Sequence, residues 1–261
     1  MNDKFSEEIS TTARLILSAR YVMALSGAGI SVDSGIPPFR GPGGLWTKHG
    51  EPPMDGYQRF LADPKGHWEE RLKRKGYAQE LYATLGSAEP NPGHYALAEL
   101  EKLNILQCLI TQNIDDLHRR AGSQKLTEIH GNFTLLRCIG CGTRFSPEKI
   151  PLEALPPSCP NCGGIIKTDV VIFGEPIPSD VLAVCQEETE KCDCMITVGT
   201  SATVYPAAAF PQIVRQRGGS LIEANLYESE LTPLCNVSLR GSTAETLPKL
   251  VDCIKEEIEK R

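Results

Sequence analysis

Residues 21–40, YVMALSGAGISVDSGIPPFR, decide the fold. Tyr21–Ser26 is a short apolar run with the length of a buried strand. It breaks at Gly27-Ala28-Gly29, where two glycines permit a tight turn and let backbone come close to a ligand. Exposed N–H groups on such a turn, opening into a helix, suit a pyrophosphate. Two glycines alone fit a plain strand-to-helix turn equally well. The continuation separates the readings. Ser34-Gly35-Ile36-Pro37 and Phe39-Arg40 add hydroxyl, glycine, ring and guanidinium without helical periodicity. That is too structured for a linker and too irregular for a core element, so the stretch reads as a loop over a bound phosphate ester.

Outward from this stretch, apolar runs alternate with helical periodicity. An amphipathic helix is expected over 6–20, and a basic, helix-forming region over 56–83. Asn91-Pro92-Gly93 turns into a helix through Lys102, and residues 104–111 form a second strand that delivers Gln112-Asn113-Ile114-Asp115. Further extended pieces are expected at 126–129, 170–174, 195–198, 220–224 and 237–239, with helices over 179–190, 207–217 and 244–260. Strands alternating with helices imply a parallel α/β sheet covered on both faces. Ligands of such sheets sit beyond the carboxyl ends of the strands. Ser26-Gly27, Thr111–Asp115, Gly199–Ser201 and Asn225 all fall at those ends. The glycine-rich segment 41–50 is expected to be mobile, either a lid or an ordinary exposed loop.

With 261 residues the chain can bury a full core. Hydrophobic residues at 41% and charged residues at 23% are ordinary for a soluble globular protein. A net charge of −6 argues against a dedicated nucleic-acid surface. No apolar run reaches membrane-spanning length, and the polar start MNDKFSEEIS has no signal-peptide core, so the expected compartment is the cytoplasm, or the nucleus if the source has one.

Four of the ten cysteines form Cys138-x-x-Cys141 and Cys159-x-x-Cys162, separated by 17 residues, the spacing of a four-thiolate zinc site. Four thiolates leave no open position, so the zinc is expected to be structural. The other six cysteines read as buried thiols. His130 follows a short strand and precedes glycine, which makes it the best candidate for a titrating group. His49, His67, His94 and His118 read as structural or exposed. Arg71, Lys73, Arg74 and Lys75 read most simply as a solvated face.

Taken together, GAGISVDSGIPPFR, TQNIDD, His130-Gly131, the two cysteine pairs, VVIFGE, GTSATVYPAA and the Asn225 region resemble, in order, the motifs of sirtuins, NAD-dependent protein deacylases. The resemblance runs from about residue 10 to the C-terminus. It implies a Rossmann-type NAD-binding domain (1–36, 104–133, 168–261) and a smaller domain made of a helical insertion (37–103) and a zinc ribbon (134–167). By resemblance, Ala28, Gly29 and Arg40 serve the NAD phosphates, Gly27 and Gln112 also bind the cofactor, and Phe39 covers the reactive ribose. Ile36, Asn113 and Asp115 belong to the nicotinamide pocket. Gly199, Thr200, Ser201 and Asn225 hold the rest of the dinucleotide, with Ser242 and Thr243 near the adenine. His130 matches the catalytic base, with Asn113 in the catalytic set. Val171, Ile172, Phe173 and Gly174 match the segment that pairs with an acyl-lysine peptide by strand addition. The implied reaction releases nicotinamide and leaves the acyl group on ADP-ribose. Relatives that prefer acidic acyl groups carry a Tyr-x-x-Arg pair where this chain has Arg71 and Arg74, so the acyl chain stays open, with acetyl as default.

Three rival readings each account for part of the sequence. A dehydrogenase wants a third glycine where Val32 stands. A mono-ADP-ribosyltransferase shares the first chemical half, but retention of His130 favours deacylation. A non-catalytic zinc-ribbon module leaves the glycine loop unexplained.

Overall fold

The computed structural model describes residues 3–73 and 77–260. Its larger sheet is six-stranded and parallel, built from β1 (Val22–Ser26), β2 (Leu106–Thr111), β3 (Leu126–Glu128), β7 (Cys194–Val198), β8 (Ser220–Asn225) and β9 (Val237–Arg240), in the order β3-β2-β1-β7-β8-β9. A smaller antiparallel sheet, β5-β4-β6, joins β4 (Leu136–Cys138), β5 (Arg144–Phe145) and β6 (Ile166–Thr168). The helices are α1 (Asp3–Ser18), α2 (Leu45–His49), α3 (Gly56–Ala62), α4 (Pro64–Lys73), α5 (Tyr77–Ser87), α6 (Pro92–Lys102), α7 (Leu117–Arg120), α8 (Ser179–Lys191), α9 (Ala209–Gln216) and α10 (Thr243–Glu259).

Every residue of β1 is buried, and its side chains alternate between two cores. Val22 and Ala24 join Ile16 of α1, Leu97 and Leu100 of α6 and Leu250 and Ile254 of α10. Met23 and Leu25 face the opposite way, against Cys185 of α8 and Phe210 and Val214 of α9. A strand buried on both faces reads as a continuous apolar run, which is how VMALS appears in the sequence. The chain runs outward through β1, β2 and β3, then restarts on the other side of β1 with β7. That reversal opens a crevice at the carboxyl ends of β1 and β7.

The smaller sheet has its own core. Leu136, Ile150 and Ile166 pack around Trp68 of α4, whose indole donates to the Ile166 carbonyl at 2.8 Å. The helical insertion and the ribbon therefore share one apolar cluster.

Two segments differ from expectation. Residues 170–174 are not a strand: the Val171 N–H goes to the His130 carbonyl, the Ile172 N–H goes to the Glu175 carboxylate, and Gly174 is left-handed at φ 82°. An apolar run predicts burial, but a strand also needs a ladder partner, and these donors have gone elsewhere. Residues 41–50 contain a helix, α2, with Leu45 buried, because Trp46 finds aromatic partners in Phe39 and Phe173 at centroid distances of 4.9 and 5.5 Å.

Candidate active site

The glycine turn packs against a second turn. A Cβ on Gly29 would lie 2.7 Å from the Gly199 backbone, and one on Gly27 would lie 2.9 Å from the Gly199 oxygen and Thr200 Cβ. Gly199 is itself left-handed at φ 56°. The Gly27 and Gly29 N–H groups donate to Val198 O and Gly199 O at 2.9 and 2.7 Å. These glycines thus let two strand ends touch. The turn continues as a single 3-10 helix, Ala28–Ser34, closed by left-handed Gly35.

Beyond the strand ends lies a cleft lined by Ala28, Ser31, Ile36, Phe39, Asn113 and Asp115, with Leu81 and Leu85 of α5. Its polar wall is one network. Asn113 Nδ2 donates to Gly27 O at 3.2 Å and to Ser31 Oγ at 3.1 Å, and Ser31 Oγ donates to Asp115 Oδ2 at 2.6 Å. The Leu117 N–H donates to the other Asp115 oxygen at 3.0 Å. Burial raises the Asp115 pKa above its ordinary value, against the opposing pull of the Ser31 hydroxyl and the Leu117 N–H. Gln112 reaches across to Thr200 Oγ1 at 2.9 Å.

The sequence reading missed the layer behind this wall. His94 and His118 are both buried, with ring centroids 4.8 Å apart. His118 Nε2 meets Ser26 Oγ at 2.8 Å, and the Asn91 N–H donates to His94 Nδ1 at 3.2 Å in a capping box that starts α6. Burial holds His94 down to about 4 and His118 well below its ordinary value, so both are neutral at pH 7. The Asn91-x-x-His94 spacing was the available signal, because it matches a capping box with histidine in place of the usual Glu or Gln. Ser31, at the centre of the network, carried no periodic signal at all.

His130 is half-buried. Its Nδ1 lies 3.0 Å from the Gln112 carbonyl, which only accepts, so Nδ1 carries the proton and Nε2 keeps a lone pair. Burial lowers its pKa, and the Gln112 carbonyl pulls it partly back up. The His130 carbonyl accepts the Val171 N–H at 2.9 Å, which ties this residue to the segment 170–174. Within that segment the Val171 carbonyl and the Phe173 and Gly174 N–H groups have no hydrogen-bond partner among the described residues.

The remaining candidates are placed as follows. Arg40 pairs with Glu51 at 3.0 Å, donates to Thr203 Oγ1 at 2.9 Å and stands 4.4 Å over the Trp46 ring. Ser201 Oγ is 3.0 Å from Thr203 Oγ1, and Asn225 Nδ2 donates to Thr200 O at 3.0 Å. Ser242 caps α10, accepting the Ala244 N–H at 3.1 Å, and the Thr243 side chain is buried. Arg71 is not part of a bare solvated face: it donates to the Tyr82 hydroxyl at 2.6 Å and lies 4.7 Å from that ring's centroid. Arg74 and Lys75 lie outside the described residues.

Cys138, Cys141, Cys159 and Cys162 place their sulfurs within 4.8 Å of one another, with Cys138–Cys162 at 3.5 Å and Cys141–Cys159 at 3.7 Å. A tetrahedral zinc with Zn–S bonds of about 2.3 Å sets its sulfurs about 3.8 Å apart, so the four residues fit the ion. Gly142 and Gly163 turn the two knuckles at φ 72° and 73°.

Known proteins share this arrangement. The model of the Sir2 family matches residues 27–206. An NAD-dependent protein deacylase of Archaeoglobus fulgidus is 43% identical over 245 residues, which covers 94% of this chain and 97% of that protein. A solved Sir2 homolog–NAD complex superposes with a TM-score of 0.79 at 41% identity, covering 95% of this chain and 94% of that one. A Sir2–p53 peptide–NAD+ complex superposes with a TM-score of 0.75 at 32% identity, covering 94% and 97%. Sheet order, crevice, cysteine cluster and these likenesses agree, and the chain belongs to the Sir2 family.

Proposed function

We propose that this chain is an NAD-dependent protein-lysine deacylase. It moves the acyl group of an acyl-lysine onto the ADP-ribose part of NAD and releases nicotinamide and free lysine, a group transfer that consumes one water. Acetyl is the default acyl group, and a protein or peptide acyl-lysine is the partner.

One observation carries the reading. His130 is held as the tautomer with a free Nε2 lone pair, and its own backbone is bonded to the open-edged segment 170–174. A base beside a peptide seat is what acyl transfer requires, because a ribose hydroxyl must lose its proton as it attacks the acyl carbon. A mono-ADP-ribosyltransferase would also release nicotinamide but has no use for a base in that place.

The family likeness supports a role for each residue of the site. Asn113, Asp115 and Ile36 form the nicotinamide wall, with Asn113 counted in the catalytic set. Gly27, Ala28, Gly29 and Arg40 take the phosphates, and Phe39 covers the reactive ribose. Gln112, Gly199, Thr200, Ser201 and Asn225 order the rest of the dinucleotide, with Thr243 at the adenine end. NAD supplies the ADP-ribosyl group, and the desolvated cleft brings the amide to it, so proximity does much of the work. Val171, Ile172, Phe173 and Gly174 receive the peptide by strand addition. Zinc on the four cysteines holds the ribbon and takes no part in the reaction.

The helical insertion is best ended before α6, whose Leu97 and Leu100 pack in the large-sheet core. With that change, the NAD-binding domain and the domain of insertion plus ribbon flank the cleft. Four cysteines gathered for zinc and six unbridged thiols suit a reducing compartment such as the cytoplasm.

The test is His130→Ala on an acetyl-lysine peptide. Deacylation should fall about a hundred- to ten-thousand-fold while melting temperature and NAD binding hold. Near-normal turnover by a folded variant would overturn the assignment.

A further inference from the structure

Behind the segment 170–174 lies a buried group of charges that the reaction does not use. Arg137 and Lys167 are register partners on β4 and β6, so two cations stand side by side, with side chains 8% and 0% exposed. Like charges directly opposite one another repel. Asp169 answers Arg137 at 2.8 Å and Arg144 at 3.0 Å, and Glu175 answers Arg137 at 2.6 Å and Lys167 at 3.0 Å. Three cations therefore face two anions. A buried cluster of this kind is weak evidence for stability, because desolvation offsets the attraction. The Lys167 amine is pushed down to about 8, chiefly by burial, with Glu175 opposing and Arg137 adding to the fall. A lysine whose folded pKa lies below its unfolded value binds its proton less well in the folded chain. Between about 8 and the ordinary 10.5, folding stability therefore rises with pH, and near neutrality the ammonium weighs against the fold.

The charges do, however, hold backbone. Lys167 Nζ donates to Thr168 O at 2.8 Å and to Val170 O at 2.6 Å, and it pairs with Glu175 Oε2 at 3.0 Å. Glu175 Oε2 also accepts the Ile172 N–H at 2.9 Å. On the other side, the Tyr57 N–H of α3 donates to Phe173 O at 2.9 Å. The segment is thus fixed from the ribbon by charge and from the insertion by a helix terminus.

We propose that Lys167 and Glu175 are positioning residues for the acyl-lysine peptide. They hold the 170–174 backbone in the conformation whose Val171 carbonyl and Phe173 and Gly174 N–H groups, without partners among the described residues, receive the peptide. The inference rests on the deacylase reading. It makes the ribbon's interior part of peptide affinity and leaves NAD affinity alone.

The experiment is steady-state kinetics of the full chain with varied acetyl-lysine peptide and varied NAD, beside thermal melting. Lys167→Met leaves two cations against two anions, so the melting temperature should hold. Peptide KM should rise about ten- to a hundredfold, the loss of one hydrogen bond to a charged group, with kcat and the NAD KM nearly unchanged. Glu175→Gln and Asp169→Asn form a second pair, each removing one negative charge from the same cluster. Only the first loosens Ile172, so peptide KM should rise for Glu175→Gln and not for Asp169→Asn. An unchanged peptide KM in folded Lys167→Met, or an equal rise in both members of the pair, overturns the inference while the deacylase reading stands. A wild-type protein that turns over no acyl-lysine peptide defeats that reading and this inference with it.

Discussion

At the scale of single residues, three histidines near the cleft share one physical fate and differ in one bond. Burial lowers the pKa of His94, His118 and His130 alike. Only for His130 is a hydrogen bond, to the Gln112 carbonyl, recorded as opposing that fall. A base must be unprotonated, so the acid limb of the deacylation rate should have its midpoint below the ordinary 6.5 and activity should be flat through pH 7. The stability effect has the same sign. Each lowered histidine binds its proton more weakly when folded, so stability falls as pH drops below 6.5 through the folded values. Rates and melting curves measured together from pH 5 to 8 check this, and an acid midpoint at or above 6.5 would contradict it. His130 was legible in the sequence because a strand end and a glycine bracket it. Ser31 was not, since a hydroxyl on a 3-10 turn has no periodicity to betray it, although its oxygen joins Asn113 to Asp115.

At the scale of elements, the ribbon and the segment 170–174 differ in how much of their structure the sequence carries. Two Cys-x-x-Cys pairs carry their geometry in their spacing, and the structure gathers the four sulfurs as expected. The run VVIFG carries only apolarity, which strand and half-buried loop share, and what decides between them is that the Val171 N–H goes to the sequence-distant His130 carbonyl and the Ile172 N–H to the nearby Glu175 carboxylate. The ribbon's core of Leu136, Ile150 and Ile166 is small and includes Trp68, so metal and packing should fail together. Purified protein should contain one zinc per chain. Its removal by a strong chelator should lower the melting temperature, shift tryptophan emission to the red as Trp68 loses its enclosure, and abolish deacylation until zinc returns. Protein free of zinc with four reactive thiols and an unchanged melt would contradict the assignment.

At the scale of the whole molecule, the sheet order places the chemistry. β1 is central, its neighbours run outward in opposite directions, and the crevice opens where they part. That architecture was legible because fully buried parallel strands write themselves as apolar runs between helices. The register of Gly27 and Gly29 against Gly199 was not, since it depends on two turns more than a hundred residues apart in sequence meeting at backbone contact. In the proposed reading the large sheet supplies the dinucleotide crevice, the ribbon and insertion frame a peptide-binding segment at 170–174, and His130 stands where the two meet. The most direct test of that account is mass spectrometry of the products formed by wild-type protein from an acetyl-lysine peptide and NAD. The account predicts free lysine peptide, nicotinamide and acetylated ADP-ribose in equal amounts. ADP-ribose attached to protein or peptide, reduced NAD, or an unconsumed acetyl peptide would contradict it.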